Sequence, residues 1–139
     1  MKYVIFSDGG SRGNPGLAAA GFLIKTESGE ILVKGGSFLG KASNNIAEYQ
    51  GVVLALRKLK SLGANTGDTV EVFVDSQLVA QQLNGLFKVK NAKIRDLILI
   101  VRGEETKFKS VSYTHINRDA NSEADRIVNE ILDRGSNGN

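Results

Sequence analysis

Four carboxylates stand where a chain built only for stability rarely puts them: Asp8, Glu48, Asp75 and Asp125. Asp8 closes the apolar run Tyr3-Val4-Ile5-Phe6, and Asp75 closes a second β-rich run through Val70, Val72, Phe73 and Val74. Side chains alternate along a strand, so Asp8 shares a side with Val4 and Phe6, and Asp75 with Phe73. If these strands are parallel neighbours, both carboxylates emerge at the carboxyl edge of the sheet, where ligands of open α/β sheets bind. Glu48 falls at helical spacing from Val52, Ala55, Leu56 and Leu59, and Asp125 from Val128 and Leu132, which puts each on the apolar stripe of its helix. A lone buried carboxylate is costly, and no lysine or arginine is placed to pair with all four. A divalent cation would satisfy them together. Hard oxygen donors without thiol or imidazole select Mg²⁺, or Mn²⁺ in its place. Two such ions, about 3.5–4 Å apart, form a clamp for phosphodiester hydrolysis, so the chemistry indicated is phosphoryl transfer to water. Taken singly, each residue has a plainer reading: Asp8 and Asp75 as turn or cap residues, Glu48 as a helix-dipole partner, Asp125 as a surface residue of a polar helix. Their joint placement at element ends and on inward faces is what points to a metal site.

The elements that must position these groups follow from periodicity. Residues 2–8 read as a buried strand, and 7–16, rich in glycine with one proline, as turn material. Residues 18–26 and 30–38 read as two strands joined around Ser28-Gly29, completing a meander. From Asn44 to Leu62 apolar residues recur at helical spacing, with Ser43 or Asn44 able to cap the start and Gly63 ending it. A strand over 69–75 is followed by a helix from Ser76 to Gly85; a further helix spans 94–101, a strand 107–116, and a closing helix 121–134. The expected architecture is α/β: a five-stranded mixed sheet whose first three strands form an antiparallel meander, with the others parallel to the first and helices on both faces. Residues 1–134 are expected to form a single domain and 135–139 a fraying tail.

Composition sets the bounds. The 139 residues are 41% apolar and 24% charged, which suits one globular domain with a core. No cysteine and one histidine exclude disulfides, Cys-bound zinc, iron–sulfur clusters, a thiol nucleophile and a multi-His metal site. Eighteen Lys and Arg against 15 Asp and Glu give a net charge of +3, compatible with a polyanionic partner but not diagnostic of one. No run approaches a membrane span, and the N-terminus turns polar too early for a signal peptide, so a cytoplasmic protein with no membrane partner is expected.

The blocks Ser7-Asp8-Gly9-Gly10-Ser11-Arg12-Gly13-Asn14-Pro15-Gly16, Ser43-Asn44-Asn45-Ile46-Ala47-Glu48, Val74-Asp75-Ser76-Gln77 and Asn121-Ser122-Glu123-Ala124-Asp125, in this order and spacing, resemble the type 1 ribonuclease H family over nearly the whole chain. The resemblance implies an endonuclease that cuts the RNA strand of RNA/DNA hybrids with two metal ions, leaving 5′-phosphate and 3′-hydroxyl ends. It implies that Asp8, Glu48, Asp75 and Asp125 are the catalytic metal ligands. It further implies substrate contacts at Gly9, at Asn14, Asn45 and Gln77 facing the minor groove, where RNA 2′-hydroxyls are exposed, and at Ser43 with Asn14 around a DNA-strand phosphate. The plainer readings of Asn14-Pro15-Gly16 as a turn and Asn44-Asn45 as a cap are compatible with those roles.

The chain is closer to the short members without a basic protrusion, since only Leu86 to Asn91 intervene where longer members carry an extra helix. Lys88 and Lys90, with Lys93 and Arg95 around Phe87, offer a smaller basic patch, which predicts weaker and more salt-sensitive hybrid binding. Many members place a histidine on the loop before the last helix. Here His115 is expected to belong to the strand, and Arg118 looks like the substitute that assists catalysis. Double-stranded RNA stays open as a second substrate, and a monomer is expected. Three rival readings are a silent hybrid-binding domain, a two-domain phosphotransferase with a related phosphate loop, and a DNA transposase or junction-resolving nuclease. The intact quartet argues against the first, chain length against the second, and the Asn14, Asn45 and Gln77 pattern against the third.

Overall fold

The computed structural model describes residues 1–86 and 88–137. Its elements are β1 (Lys2–Gly13), β2 (Gly16–Thr26), β3 (Ile31–Ala42), α1 (Asn44–Ser61), β4 (Thr69–Val74), α2 (Gln77–Leu83), α3 (Ala92–Glu105), β5 (Ser110–His115), a 3₁₀ turn (Arg118–Asn121) and α4 (Ser122–Asn137). The five strands lie in the order β3-β2-β1-β4-β5. β1 pairs antiparallel with β2 and β2 antiparallel with β3, while β4 runs parallel to both β1 and β5. The mixed sheet expected from the sequence is therefore the one observed.

The main core lies between one sheet face and helices α1, α2 and α3, around Ile5, Ile24, Leu56, Leu59, Val72, Val79 and Val101. α4 covers the other face through a much smaller apolar cluster, Ala19, Val128 and Leu132, with Ile131 packed against it. Ion pairs add to this seating: Arg12 Nη2 meets Asp133 Oδ1 at 2.6 Å, and Glu123 draws Lys25 and Lys34 to 3.9 and 3.4 Å.

Several boundaries differ from the sequence reading. The glycine-rich stretch after Asp8 is not turn material: β1 continues to Gly13 and pairs with β2 down to Gly13↔Gly16, so that Asn14-Pro15 alone makes the turn. Pairing with β2 satisfies the backbone of Gly9 and Gly10, overriding their weak strand preference. α3 is longer than expected at both ends. Asn91 caps its start, and its final turn carries Glu104, which is held by Arg57 and Lys107. β5 is correspondingly shorter. α4 runs to Asn137, past Arg134, where the reading ended the helix. Phe87 and the tail residues Gly138 and Asn139 lie outside the described residues.

Candidate active site

Register brings the first two carboxylates together. β1 and β4 pair up to Ser7↔Val74 and no further, so Asp8 and Asp75 follow at the same level of adjacent parallel strands. Asp8 does not end its strand; it sits within β1, paired with Gly21 on one side, at the point where β4 stops accompanying it on the other. Beyond this point β1 continues with β2 alone while the chain turns away from β4 towards α2.

Glu48 arrives from α1, and glycine makes this possible. A Cβ on Gly9 would lie 2.1 Å from the Ala47 carbonyl carbon and 2.4 Å from the Glu48 nitrogen; one on Gly51 would lie 2.8 Å from the Asp8 carbonyl oxygen. The helix therefore presses its backbone onto β1 at the two places where no side chain intervenes. Ser43 caps α1 by accepting a hydrogen bond from Ile46 N at 3.2 Å, and Glu48 falls beyond the first turn, so helix-dipole stabilisation does not account for its position. One carboxylate oxygen each from Asp8, Glu48 and Asp75 falls within a 4.8 Å group. Asp125, in the first turn of α4, is half-buried outside that group, yet its charge is felt by Asp8.

Asp8 and Glu48 are each only 6% exposed. Among the described residues no lysine, arginine or histidine forms an ion pair with any of the four carboxylates. Burial pushes Asp8 up to about 7; a hydrogen bond with Glu48 draws it partly back, and the charges of Asp75 and Asp125 push it higher. Burial, then the charge of Asp8 and their shared hydrogen bond, raises Glu48 to about 10. The two carboxyls thus hold a proton where acidic side chains are ordinarily ionised. Glu48 Oε2 is buried with no hydrogen-bond partner. An orphaned carboxylate oxygen, an all-oxygen donor set and a surplus of negative charge fit a hard divalent cation.

The structure adds Asn121, which the sequence reading placed in a motif without giving it a role. It is 1% exposed, and its Nδ2 donates to Ser7 O at 2.9 Å and to Asp75 Oδ2 at 3.2 Å, joining β1, the end of β4 and the start of α4. The available signal was its spacing from Ala124 and Val128, which places a polar side chain on the buried stripe.

The other candidates fall into two groups. At the β1–β2 turn and the head of α1, Asn14 Oδ1 accepts from Asn44 N at 3.1 Å, and Asn44 Oδ1 accepts from Ser11 N at 2.9 Å. This clasp gathers Asn14, Ser43 and the half-buried Asn45 on one side of the carboxylates. With its oxygen engaged, Asn14 has its amino group to offer a ligand. On the other side Gln77 opens α2, exposed, after Ser76, whose Oγ accepts from Val79 N. Lys88 and Lys90 are exposed beyond that helix. His115 is the last residue of β5, as the sequence indicates, and is exposed. Arg118 opens the 3₁₀ turn that delivers Asn121, is exposed, and forms no ion pair with the carboxylates.

Residues 6–131 match a family model described as reverse transcriptase-like. The chain is 39% identical over 128 residues to ribonuclease HI of Halobacterium salinarum, covering 92% of this chain and 63% of that protein. It is 37% identical over 134 residues to the bifunctional protein Rv2228c of Mycobacterium tuberculosis, covering 96% of this chain and 36% of that protein, and so spans about a third of the length of this relative. The crystal structure of RNase H1 from Halobacterium salinarum superposes with a TM-score of 0.91 at 37% identity, over 96% of this chain and 98% of that one. LC11-RNase H1, solved in complex with an RNA/DNA hybrid, superposes with a TM-score of 0.92 at 33% identity, over 96% and 98%.

Proposed function

The chain belongs to the type 1 ribonuclease H family, and on that premise we propose that it is an endoribonuclease hydrolysing the RNA strand of RNA/DNA hybrids to leave 5′-phosphate and 3′-hydroxyl ends. The observation that carries this reading is the convergence of Asp8, Glu48 and Asp75 without a cationic partner and with a buried carboxylate oxygen unspoken for. The similarity to an enzyme solved with an RNA/DNA hybrid supports the choice of substrate.

In this reading Asp8, Glu48 and Asp75, joined by Asp125, would hold two Mg²⁺ ions, with Mn²⁺ able to replace them. When bound, these ions would make a water nucleophilic and offset negative charge on the departing 3′ oxygen. The chain's own groups then orient the hybrid. Asn14, Asn45 and Gln77 present amides to the minor groove, where the 2′-hydroxyl distinguishes RNA from DNA. Ser43 and Asn14 flank a phosphate of the DNA strand beside the head of α1, where the positive end of the helix dipole favours an anion. The Gly9 backbone borders the scissile region, Lys88 and Lys90 meet phosphates further along, and Arg118 serves proton transfer or product release.

The test is incubation with an end-labelled RNA/DNA hybrid beside matched DNA and RNA duplexes, with Mg²⁺, with Mn²⁺ and with chelator. Metal-dependent cutting of the hybrid's RNA strand is the expected result, and the RNA duplex arm decides whether double-stranded RNA is also a substrate. Salt-sensitive hybrid binding without cutting under any metal would replace the reading with a silent binding domain.

A further inference from the structure

α2 is a seven-residue helix, too short to persist without tertiary support. Its first residue is Gln77 and it is preceded by Asp75; the segment leaving its last residue carries Lys88 and Lys90. The orientation of α2 therefore bears on groups at both of its ends, on the side of the carboxylates opposite Asn14 and Ser43.

Its C-terminal end is held at three consecutive residues by three different elements. From α1, Tyr49 Oη donates to Gln82 Oε1 at 2.6 Å. From α3, Arg102 Nη2 donates to Leu83 O at 2.6 Å. Towards β5, Asn84 Nδ2 donates to Tyr113 O at 3.0 Å. The last two ties are closed on themselves: Arg102 Nη1 donates to Glu105 Oε2 at 2.8 Å, and Tyr113 Oη donates to the same oxygen at 2.6 Å. Burial first, and Glu105 for Tyr113, push both phenols above their ordinary range, Tyr49 to about 12, so neither donor is lost near neutral pH.

The backbone terminates in a matching way. Gly85 N bonds Gln82 O and Leu86 N bonds Gln81 O around Gly85 at φ +75°, a paired closure that leaves the Leu83 carbonyl to be satisfied from outside. Arg102 supplies that donor, placing a fixed positive charge at the negative end of the helix.

We infer that Arg102 is a positioning residue for hybrid binding: by holding the Leu83 carbonyl within the Gln82–Leu83–Asn84 clamp, it sets the angle of α2 and of the lysine-bearing segment that follows. This rests on the proposed ribonuclease H reading, because the groups it positions are the hybrid contacts assigned there. Tyr49, adjacent to Glu48 in the chain, ties the same clamp to the helix that carries one of the carboxylates.

The test compares wild type, Arg102→Ala, Arg102→Lys and the milder Tyr49→Phe, which removes one hydroxyl and serves if Arg102→Ala does not fold. For each variant, KM and kcat on the hybrid are measured by initial rates, and the salt dependence of hybrid binding is measured in chelator. The expected result for Arg102→Ala is a KM raised about tenfold, equivalent to about 1.4 kcal/mol, with kcat per active molecule within about twofold. Displaced lysines should also reduce the slope of log affinity against log salt by about one contact's worth. Arg102→Lys should recover part of both losses, and Tyr49→Phe should show a smaller change in the same direction. A lower melting temperature with KM and salt slope unchanged would make the clamp purely structural and overturn the inference. If wild type fails to cut, the functional reading falls, while an unchanged salt slope in the variants would still refute the clamp by itself.

Discussion

Asp8→Asn is expected to stabilise the protein in chelator and, in the proposed reaction, to abolish turnover with Mg²⁺. Burial, together with the charges of Asp75 and Asp125, raises the Asp8 carboxyl from 3.8 to about 7. The folded protein therefore binds this proton more tightly than the unfolded chain. Its contribution to stability is fully present below 3.8 and is lost as pH rises through about 7. Above that range the ionised group opposes folding by about 4 kcal/mol, at roughly 1.4 kcal/mol per tenfold in proton affinity. Asparagine has no charge to lose, so the variant should match wild type near pH 4 and exceed it by about 2–4 kcal/mol at pH 8, the lower figure reflecting the proton shared with Glu48. Urea unfolding of both proteins from pH 4 to pH 9, with EDTA throughout, measures this directly. A gain that does not vary with pH, or a variant less stable than wild type at pH 8, would refute the argument that charge crowding sets the apo site. On the labelled hybrid with Mg²⁺, the same variant should lose turnover by orders of magnitude; retained activity would remove Asp8 from the catalytic role.

Saturating Mg²⁺ at about a hundred times its Kd should stabilise wild type by about 2.7 kcal/mol, and Glu48→Gln should abolish most of that gain in a thermal melt. Gly9→Ala forces α1 off β1, because its Cβ would lie 2.1 Å from the Ala47 carbonyl carbon; unfolding should show a loss of about 3 kcal/mol, and calorimetry should show weakened metal binding. Asn121→Ala breaks the tie between Asp75 and the Ser7 carbonyl, which should lower stability by about 2 kcal/mol and turnover about tenfold, measured by urea unfolding and initial rates. Arg118→Ala should reduce kcat more than His115→Ala, and equal or reversed losses would undo the assignment of Arg118.

Asp8, Glu48 and Asp75 were legible because charge on an apolar face is an anomaly that periodicity alone exposes: Glu48 breaks the stripe of α1, and Asp8 and Asp75 close apolar runs. The strand order was legible for a related reason, since a meander followed by alternating strands and helices leaves few topologies. The extent of β1 was not. Glycine and serine after Asp8 carry turn preferences locally, and only pairing with β2 and the close approach of α1 make them strand. Asn121 was hidden by its company, the polar residues that open a polar helix. The clamp on α2 could not be seen at all, because Tyr49, Arg102 and Tyr113 meet it through the fold and share no spacing along the chain.

One row of the sheet sets how independently this protein can vary. Asp8 pairs with Gly21, and Gly21 with Gly36, across three strands beneath α4. A Cβ on Gly21 would lie 2.9 Å from Ile127 Cγ2 and 3.1 Å from the Ala124 carbonyl oxygen. The height of α4 above the sheet at Asp125 is thus fixed partly by main-chain contact, which no rotamer change can absorb. Further along the helix, Ala19, Val128 and Leu132 determine how firmly it is fastened. Fastening and height are separate properties of the same helix, so evolution or design can retune the protein's endurance through that small apolar cluster without altering the interval between Asp125 and the sheet.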